Sequence, residues 1–204
     1  IDISDETVGT TTSKIPASAF AEFQLSQSSL DLSKDLTSSG AVNVTTKSGT
    51  NSLHGDAFGF FRDAGVGGAS SPGGANLPTQ RSQFGGSVGG PVIKDKLFFF
   101  ADGERTKQDS LAPVLFSNPF DVLNGGFSQG FRESNLLGKV DYNLGRNAHL
   151  FYRYTYFANA LPASFGFGYS VYANKDYTRV HAVGLDFNTG SFTHSIRFSY
   201  LKFQ

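Results

Sequence analysis

Apolar and polar residues alternate in the last third of the chain. Over residues 136–143, Leu136 and Val140 share one side of an extended chain. Lys139 and Asp141 share the other side. Side chains of a strand point alternately to opposite faces of a sheet, so this order predicts a strand with one apolar and one polar face. The same order recurs in three further segments, at residues 149–157, 181–188 and 192–200.

Short and long connections alternate between the predicted strands. Earlier strands are predicted at residues 53–62, 83–93 and 97–105, and short turns at 94–96, 145–147 and 188–190. Long connections are predicted at residues 63–79, 106–132 and 158–176, which contain Gly and Pro or Ser. This rhythm is typical of outer-membrane β-barrels, which have short turns on one side of the membrane and long loops on the other. A soluble β-sandwich would show the same alternation with shorter strands and more even loops, so the pattern alone leaves both open.

The first quarter of the chain differs from the rest. Residues 21–25 and 42–45 alternate and predict two strands, whereas residues 26–39 are rich in Ser, Leu, Lys and Asp and predict a loop or a short helical turn. This block is typical of the end of a small α+β domain. We therefore expect a mainly β chain in which a small α+β portion precedes an antiparallel sheet.

Composition narrows the function classes. The 204 residues carry 17 basic and 17 acidic side chains, and this zero net charge argues against nucleic-acid binding, which needs a surplus of clustered bases. Cysteine is absent, so disulfides and Cys-based metal sites are excluded. No apolar run approaches the length of a transmembrane helix. The sequence also lacks Met, and we expect it to be a piece of a longer protein.

Four runs of residues resemble one family: residues 40–51, 81–93, 94–100, and a later hairpin of residues 133–143 with 149–156. The run at residues 40–51, with its Val-Asn-Val-Thr-Thr-Lys-Ser-Gly-Thr-Asn order and the Leu-His-Gly that follows, resembles the junction between plug and barrel in TonB-dependent outer-membrane transporters. It is most similar to the Oar-like type, which carries a carboxypeptidase-regulatory-like domain. Residues 81–93 and 94–100 resemble the second strand, turn and third strand of such a barrel. The junction residues are Asn43, Thr46, Lys47, Ser48, Gly49, Thr50, Asn51, His54 and Gly55.

The resemblance implies an architecture and a function. Residues 1–52 would be the C-terminal part of the plug domain, and residues 53–204 about seven strands of a larger transmembrane β-barrel. The parent protein would be an active transporter in the outer membrane of a Gram-negative bacterium, taking up a siderophore, an oligosaccharide or a peptide. Its partners would be outer-membrane lipid and the TonB energy-transducing complex, which a segment outside this sequence would contact. No cofactor, metal or catalytic residue is implied.

Charged residues on the predicted polar faces are the candidate site. They either form a salt-bridge network that lines the lumen and holds the plug, or contact the ligand during passage. The residues are Lys139, Asp141, Arg153, Asp186 and Arg197. On the opposite face, the stripe of Tyr152, Tyr154 and Tyr156 is expected to face lipid.

Enzymatic alternatives lack supporting residues. The glycine-rich run before Lys94 has no Gly-Lys-Ser/Thr order, and nothing accompanies Asp102 and Glu104 as a glycosidase pair would require. The histidines lack metal-ligand spacing and are predicted to be structural or interfacial: His54, His149, His181 and His194. The remaining alternatives to a transporter are a passive structural or adhesive outer-membrane barrel and a soluble secreted carbohydrate-binding β-domain.

Overall fold

A computed structural model describes residues 4–5, 10–11, 14–26, 41–63, 80–114, 116–164 and 171–204. The predicted loops over most of 26–39 and 63–79 lie outside these residues. The strands are β1 Ser4–Asp5, β2 Thr10–Thr11, β3 Phe20–Ser26, β4 Ala41–Thr46, β5 His54–Asp63, β6 Gln80–Ile93, β7 Leu97–Val114, β8 Gly125–Asn143, β9 Ala148–Ser164, β10 Val171–Thr189 and β11 Phe192–Phe203. Two single 3-10 turns lie at Ala17–Ala19 and Asp121–Leu123 within the same residues.

The described part of the chain is dominated by one antiparallel sheet. Its seven strands follow the order β5-β6-β7-β8-β9-β10-β11, so each strand pairs with its neighbour in sequence. β3 and β4 pair separately, as do β1 and β2. The predicted antiparallel, mainly β fold is confirmed. No helix among these residues is long and apolar enough to cross a membrane.

Tight turns join the strands at one end of the sheet. Asp95, Gly145 and Gly190 occupy these turns with φ of 64°, 78° and 60°, a region in which residues other than Gly, Asn and Asp are strained.

The pairing of β6 with β7 shifts register between Pro91 and Ile93. A proline has no N–H to donate to a ladder, so it is placed where the pairing is irregular.

The predicted bounds of the long connections at 106–132 and 158–176 are wrong, because strands occupy both ends of each range. β7 continues to Val114 and β8 begins at Gly125, with Lys107 opposite Arg132 in the ladder. β9 and β10 likewise extend to Ser164 and from Val171. Residues 106–110 are all polar, so alternation gives no signal there, although backbone hydrogen bonds still pair the strands.

The two faces of the sheet differ in chemistry. On the face that we call the outer face, large apolar side chains are exposed, including Phe198 (68%) and Val140 (41%). On the opposite, inner face, acidic side chains are buried, with Asp102 and Asp141 each 4% exposed. The outer face also carries Tyr152, Tyr154 and Tyr156, since they alternate along β9 with inner-face residues.

Part of the inner face is buried because the N-terminal segment packs on it. We define this segment as residues 14–26 and 41–53. Ala19 from the segment forms an apolar cluster with Phe100 and Leu137 of the sheet, and Ile15 packs against it. The ammonium of Lys14 lies 2.8 Å from a carboxylate oxygen of Glu133 on β8. The segment and the sheet thus share one small core.

Candidate functional site at the inner face

A line of charged side chains crosses the inner face from β8 to β11. The Lys139 Nζ atom lies 3.4 Å from Asp141 Oδ1, and the His149 Nε2 atom lies 3.1 Å from the same oxygen. On the other side, His149 Nδ1 is 4.0 Å from Asp186 Oδ2. Arg197 Nη2 then donates to both Asp186 oxygens at 2.7 and 2.8 Å. We call these five residues the charged ladder.

An aromatic ring supports both cations of the charged ladder. Lys139 Nζ lies 5.5 Å from the centre of the Phe151 ring, and the Arg197 guanidinium lies 5.2 Å from it. A cation over an aromatic face is attracted by the negative potential of the ring. The Phe151 ring also covers Gly184 on β10, where an added Cβ would come within 2.1 Å of it. Because Gly184 has no side chain, the Phe151 ring has room to lie between the two cations.

The structure places four of the five predicted charged residues in one line. Arg153 lies on the same face, opposite Lys139 in the ladder of β8 and β9, but it forms no ion pair among the described residues. His149 completes the line, although the sequence analysis predicted only a structural or interfacial role for it. The alternation in β9 already placed His149 on the polar face with Arg153, and this was the available signal.

The charged ladder is tied to the N-terminal segment through Lys139. Its Nζ donates to Ser48 Oγ at 2.6 Å, across 91 residues of sequence. Ser48 belongs to the predicted junction motif, and its neighbour Lys47 donates its backbone N–H to Ala19 O at 2.8 Å. Thr46 is buried, so the end of β4 lies against the sheet. For Asn43, the structure gives its backbone pairing, opposite Gln24.

Gly49 is the point of closest approach between the N-terminal segment and the sheet. A Cβ at this position would lie 2.2 Å from Phe99 O and 2.7 Å from Gly90 O. Both are backbone atoms of paired strands and cannot rotate away. Only glycine fits here without moving the segment or the sheet.

Beyond Gly49 the junction motif is bonded to the first tight turn. The Asn51 amide donates to Asp95 Oδ1 at 2.5 Å and accepts from the Asp95 backbone N–H at 2.8 Å. Thr50 Oγ1 donates to Ser52 O at 3.0 Å, and His54 Nδ1 lies 2.9 Å from the same oxygen. At Gly55, where β5 has begun, an added Cβ would meet the Ser87 carbonyl oxygen at 2.5 Å.

The remaining sequence candidates are separated from the charged ladder. Asp102 is buried on the inner face, while Glu104 accepts a hydrogen bond from Gln83 at 2.6 Å. His181 lies on the outer face, where its Nδ1 is 2.8 Å from the Tyr152 hydroxyl. His194 stacks on Phe187 with 4.6 Å between ring centres. Among the described residues, no group of His, Asp and Glu could hold a metal ion.

The candidate site can bind a ligand or a chain segment through charge and hydrogen bonds. Ammonium, guanidinium, carboxylate and imidazole groups on one wall can hold a polar segment or a polar solute through hydrogen bonds, which are strongest where a charged group takes part. The same groups can release it when water replaces those bonds, because partly exposed ion pairs are individually weak.

Comparisons with known proteins agree with this geometry. Residues 45–134 match the family described as outer membrane beta barrel domain. The chain is also similar to the TonB-dependent transporter Oar of Myxococcus xanthus, with 34% identity over 70 residues, which cover 30% of this chain and 7% of that protein. The matched stretch is therefore a small part of that relative. No solved structure matches the chain.

The fold and the comparisons together indicate the class of protein. Residues 45–134 match an outer-membrane β-barrel domain, and the location of the chain is the outer membrane. This location explains why the apolar outer face is exposed, because hydrocarbon contacts it there. It also sets aside the soluble β-domain that the sequence pattern had left open. The matched family is one of membrane barrels and not of enzymes.

Proposed function

We propose that this chain is part of a TonB-dependent active transporter of a Gram-negative outer membrane. Residues 1–52 are the end of its plug, and residues 53–204 are the first seven strands of its barrel wall. The similarity to the Oar transporter supports this proposal over 70 residues. The ligand is a siderophore, an oligosaccharide or a peptide, and no bond is made or broken during its passage.

One observation carries the proposal: the N-terminal segment covers part of the inner face of a sheet whose outer face is apolar. The contacts include Ser48 with Lys139 and Lys14 with Glu133. In a barrel that holds nothing, inner-face polar groups contact water. Here a separate segment covers part of them, which is the arrangement that an occluded transport lumen requires.

The contacts between the N-terminal segment and the sheet allow the segment to move while the sheet stays in place. Each polar contact between segment and sheet contributes on the order of 1 kcal/mol, because water can replace it. The sheet is held instead by continuous ladders of backbone hydrogen bonds from β5 to β11. A pulling force on the segment would therefore displace it before any strand separates. A polar ligand could then pass along the charged ladder.

A direct test uses the full-length parent protein in planar lipid bilayers. We expect a closed, poorly conducting protein that becomes a large ion-conducting pore when the whole plug, including residues 1–52, is deleted. We also expect the purified C-terminal domain of TonB to bind the parent in a pull-down assay. Deletion of the N-terminal end of the mature parent should abolish that binding.

The same experiments separate the alternatives. A passive or adhesive outer-membrane barrel would bind no TonB domain. If the plug-deleted variant conducts no better than the parent, the N-terminal segment does not close a lumen and the proposal fails.

A further inference from the structure

The outer face changes from apolar to basic at 8 to 11 residues from the tight turns. Six bases point outward there, as shown by the pairing of the strands and by their exposure. We call them the basic belt: Arg105, Lys107, Arg132, Lys175, Arg179 and Lys202. Between the tight turns and these bases, the described outer face carries no Lys, Arg, Asp or Glu.

The belt lies where the strands leave the hydrocarbon. Each base is eight or more residues from the turn end of its own strand, as from Leu97 to Arg105 on β7 or from Thr189 back to Arg179 on β10. A tilted strand crosses the hydrocarbon in about 9–11 residues. The bases therefore lie at the headgroup level on the side of the long connections. Tyr156 lies opposite Arg179 and Tyr200 lies two residues before Lys202, as residues of an interfacial aromatic girdle do.

Bases stand directly opposite bases in the belt. Lys107 pairs with Arg132 on the next strand, and Arg179 pairs with Lys202. Like charges directly opposite each other destabilise a sheet, so these pairs need an anion to offset their repulsion. Asp109 supplies one for the first pair, with contacts of 3.1 Å to Lys107 and 2.5 Å to Arg132.

The second pair has no such anion. Arg179 and Lys202 form no ion pair or side-chain hydrogen bond among the described residues, and both are exposed. Arg105 is also exposed and forms no ion pair among the described residues. The outward acids on the described strands are Asp63, which accepts a hydrogen bond from Gln80, and Asp109. The belt therefore has a surplus of positive charge that faces the membrane.

We propose that the basic belt binds the phosphate groups of a lipid in the outward-facing leaflet, with Arg179 and Lys202 as its centre. Arginine and lysine are the residues that bind phosphate oxygens through charge-assisted hydrogen bonds. Acyl chains of the same lipid would lie along Phe198 and Val183, which are exposed on the outer face. The lipid thus supplies the anion that the paired bases lack. This inference rests on the outer-membrane location and not on active transport.

The test measures lipid retained by the full-length parent protein in nanodiscs. The discs contain phosphatidylcholine with either lipid A or dephosphorylated lipid A, and native mass spectrometry counts bound lipid. We expect the parent to bind phosphorylated lipid A preferentially. The Arg179→Gln, Lys202→Gln variant should bind it at least tenfold more weakly, since each surface base contributes about fivefold.

Matched variants separate belt charge from general charge and from folding. Lys94→Gln, Lys96→Gln removes two bases at the tight-turn end and should leave binding unchanged. Arg179→Lys, Lys202→Arg retains the charges and should retain binding. If the glutamine variant does not assemble, the preference of the parent for phosphorylated over dephosphorylated lipid A still decides the matter.

Three results would overturn the proposal. They are equal binding of the two lipids by the parent, equal lipid A binding by the parent and a folded glutamine variant, or displacement of the lipid by inorganic phosphate at matched concentration. The last would show a site for a free anion and not for a membrane lipid.

Discussion

On the outer face of the sheet, Phe198 and Val140 are exposed, whereas on the inner face Asp102 and Asp141 are buried. A water-soluble protein has the opposite arrangement, because burying an unpaired charge is unfavourable and burying apolar area is favourable. The difference between the faces shows that two different surroundings act on one sheet. Hydrocarbon contacts one side, and the N-terminal segment covers part of the other.

The largest expected effect comes from placing the same charge on either face. Phe198→Arg puts a cation into the hydrocarbon, and we expect it to destabilise the full-length protein by about 2–4 kcal/mol or to prevent its assembly. Ser199→Arg, one residue further on the inner face, should change stability by less than about 1 kcal/mol. Urea unfolding in phosphatidylcholine vesicles measures both. Equal destabilisation by the two variants would remove the distinction between the faces.

A smaller effect is expected where the N-terminal segment is closest to the sheet. Gly49→Ala places a Cβ against the backbone oxygens of Phe99 and Gly90, and we expect this overpacking to loosen the segment by about 1–3 kcal/mol. Hydrogen exchange of residues 41–52 should become faster while exchange of β8 and β9 stays unchanged. Gly138→Ala is the control, since its Cβ would meet nothing within 4 Å. Unchanged exchange in Gly49→Ala would show that the segment is not closely seated.

Two ion pairs with the same residues and spacing compare the faces directly. Lys139 and Asp141 on the inner face have side chains 12% and 6% exposed, whereas Lys107 and Asp109 on the outer face are 52% and 41% exposed. Double-mutant cycles with Lys→Met and Asp→Asn should give a coupling energy of roughly 1–3 kcal/mol for the inner pair. The exposed pair should give less than about 1 kcal/mol. A stronger coupling in the outer pair would contradict the burial that we describe.

The smallest effect is expected for two tyrosines on the outer face. Tyr152→Phe removes the hydroxyl that lies 2.8 Å from His181 Nδ1, and should lower stability by about 0.6 kcal/mol, as such bonds do in membranes. Tyr154→Phe keeps the ring that lies 5.0 Å from the His181 ring and should be close to neutral. Thermal unfolding in detergent micelles measures the difference. A larger loss for Tyr154→Phe would assign the stabilisation to its hydroxyl instead.

The sequence predicted the sheet well wherever one face meets hydrocarbon. There, one face must be apolar, so apolar and polar residues alternate along each strand. Val140, Tyr152 and Phe198 lie on the face that the alternation predicted. It failed beyond that zone, at residues 106–114 and 158–164, because the outer face there lies past the apolar zone and its residues need not be apolar. Nothing then forces apolar residues to alternate with polar ones, and Pro162 made the segment resemble a loop although it pairs with Ala173.

The candidate site was predictable in its residues but not in its contacts. Alternation put Asp141, Asp186 and Arg197 on one face, and the structure brings them near one another. The bond between Ser48 and Lys139 joins positions 91 residues apart, and local pattern holds no information about such a distance. The role of His149 also depends on the register of β9 against β8 and β10, which the lengths of the turns determine.

The two hydrogen bonds between Asn51 and Asp95 have a mechanical consequence. They attach the C-terminal end of the N-terminal segment to the tight turn between β6 and β7. Tension applied upstream would be carried along the chain to these two bonds and then to His54, where the backbone ladder of β5 with β6 begins. Peeling of the segment would thus end at a defined residue, and the segment could be reseated from the same anchor after the tension is released.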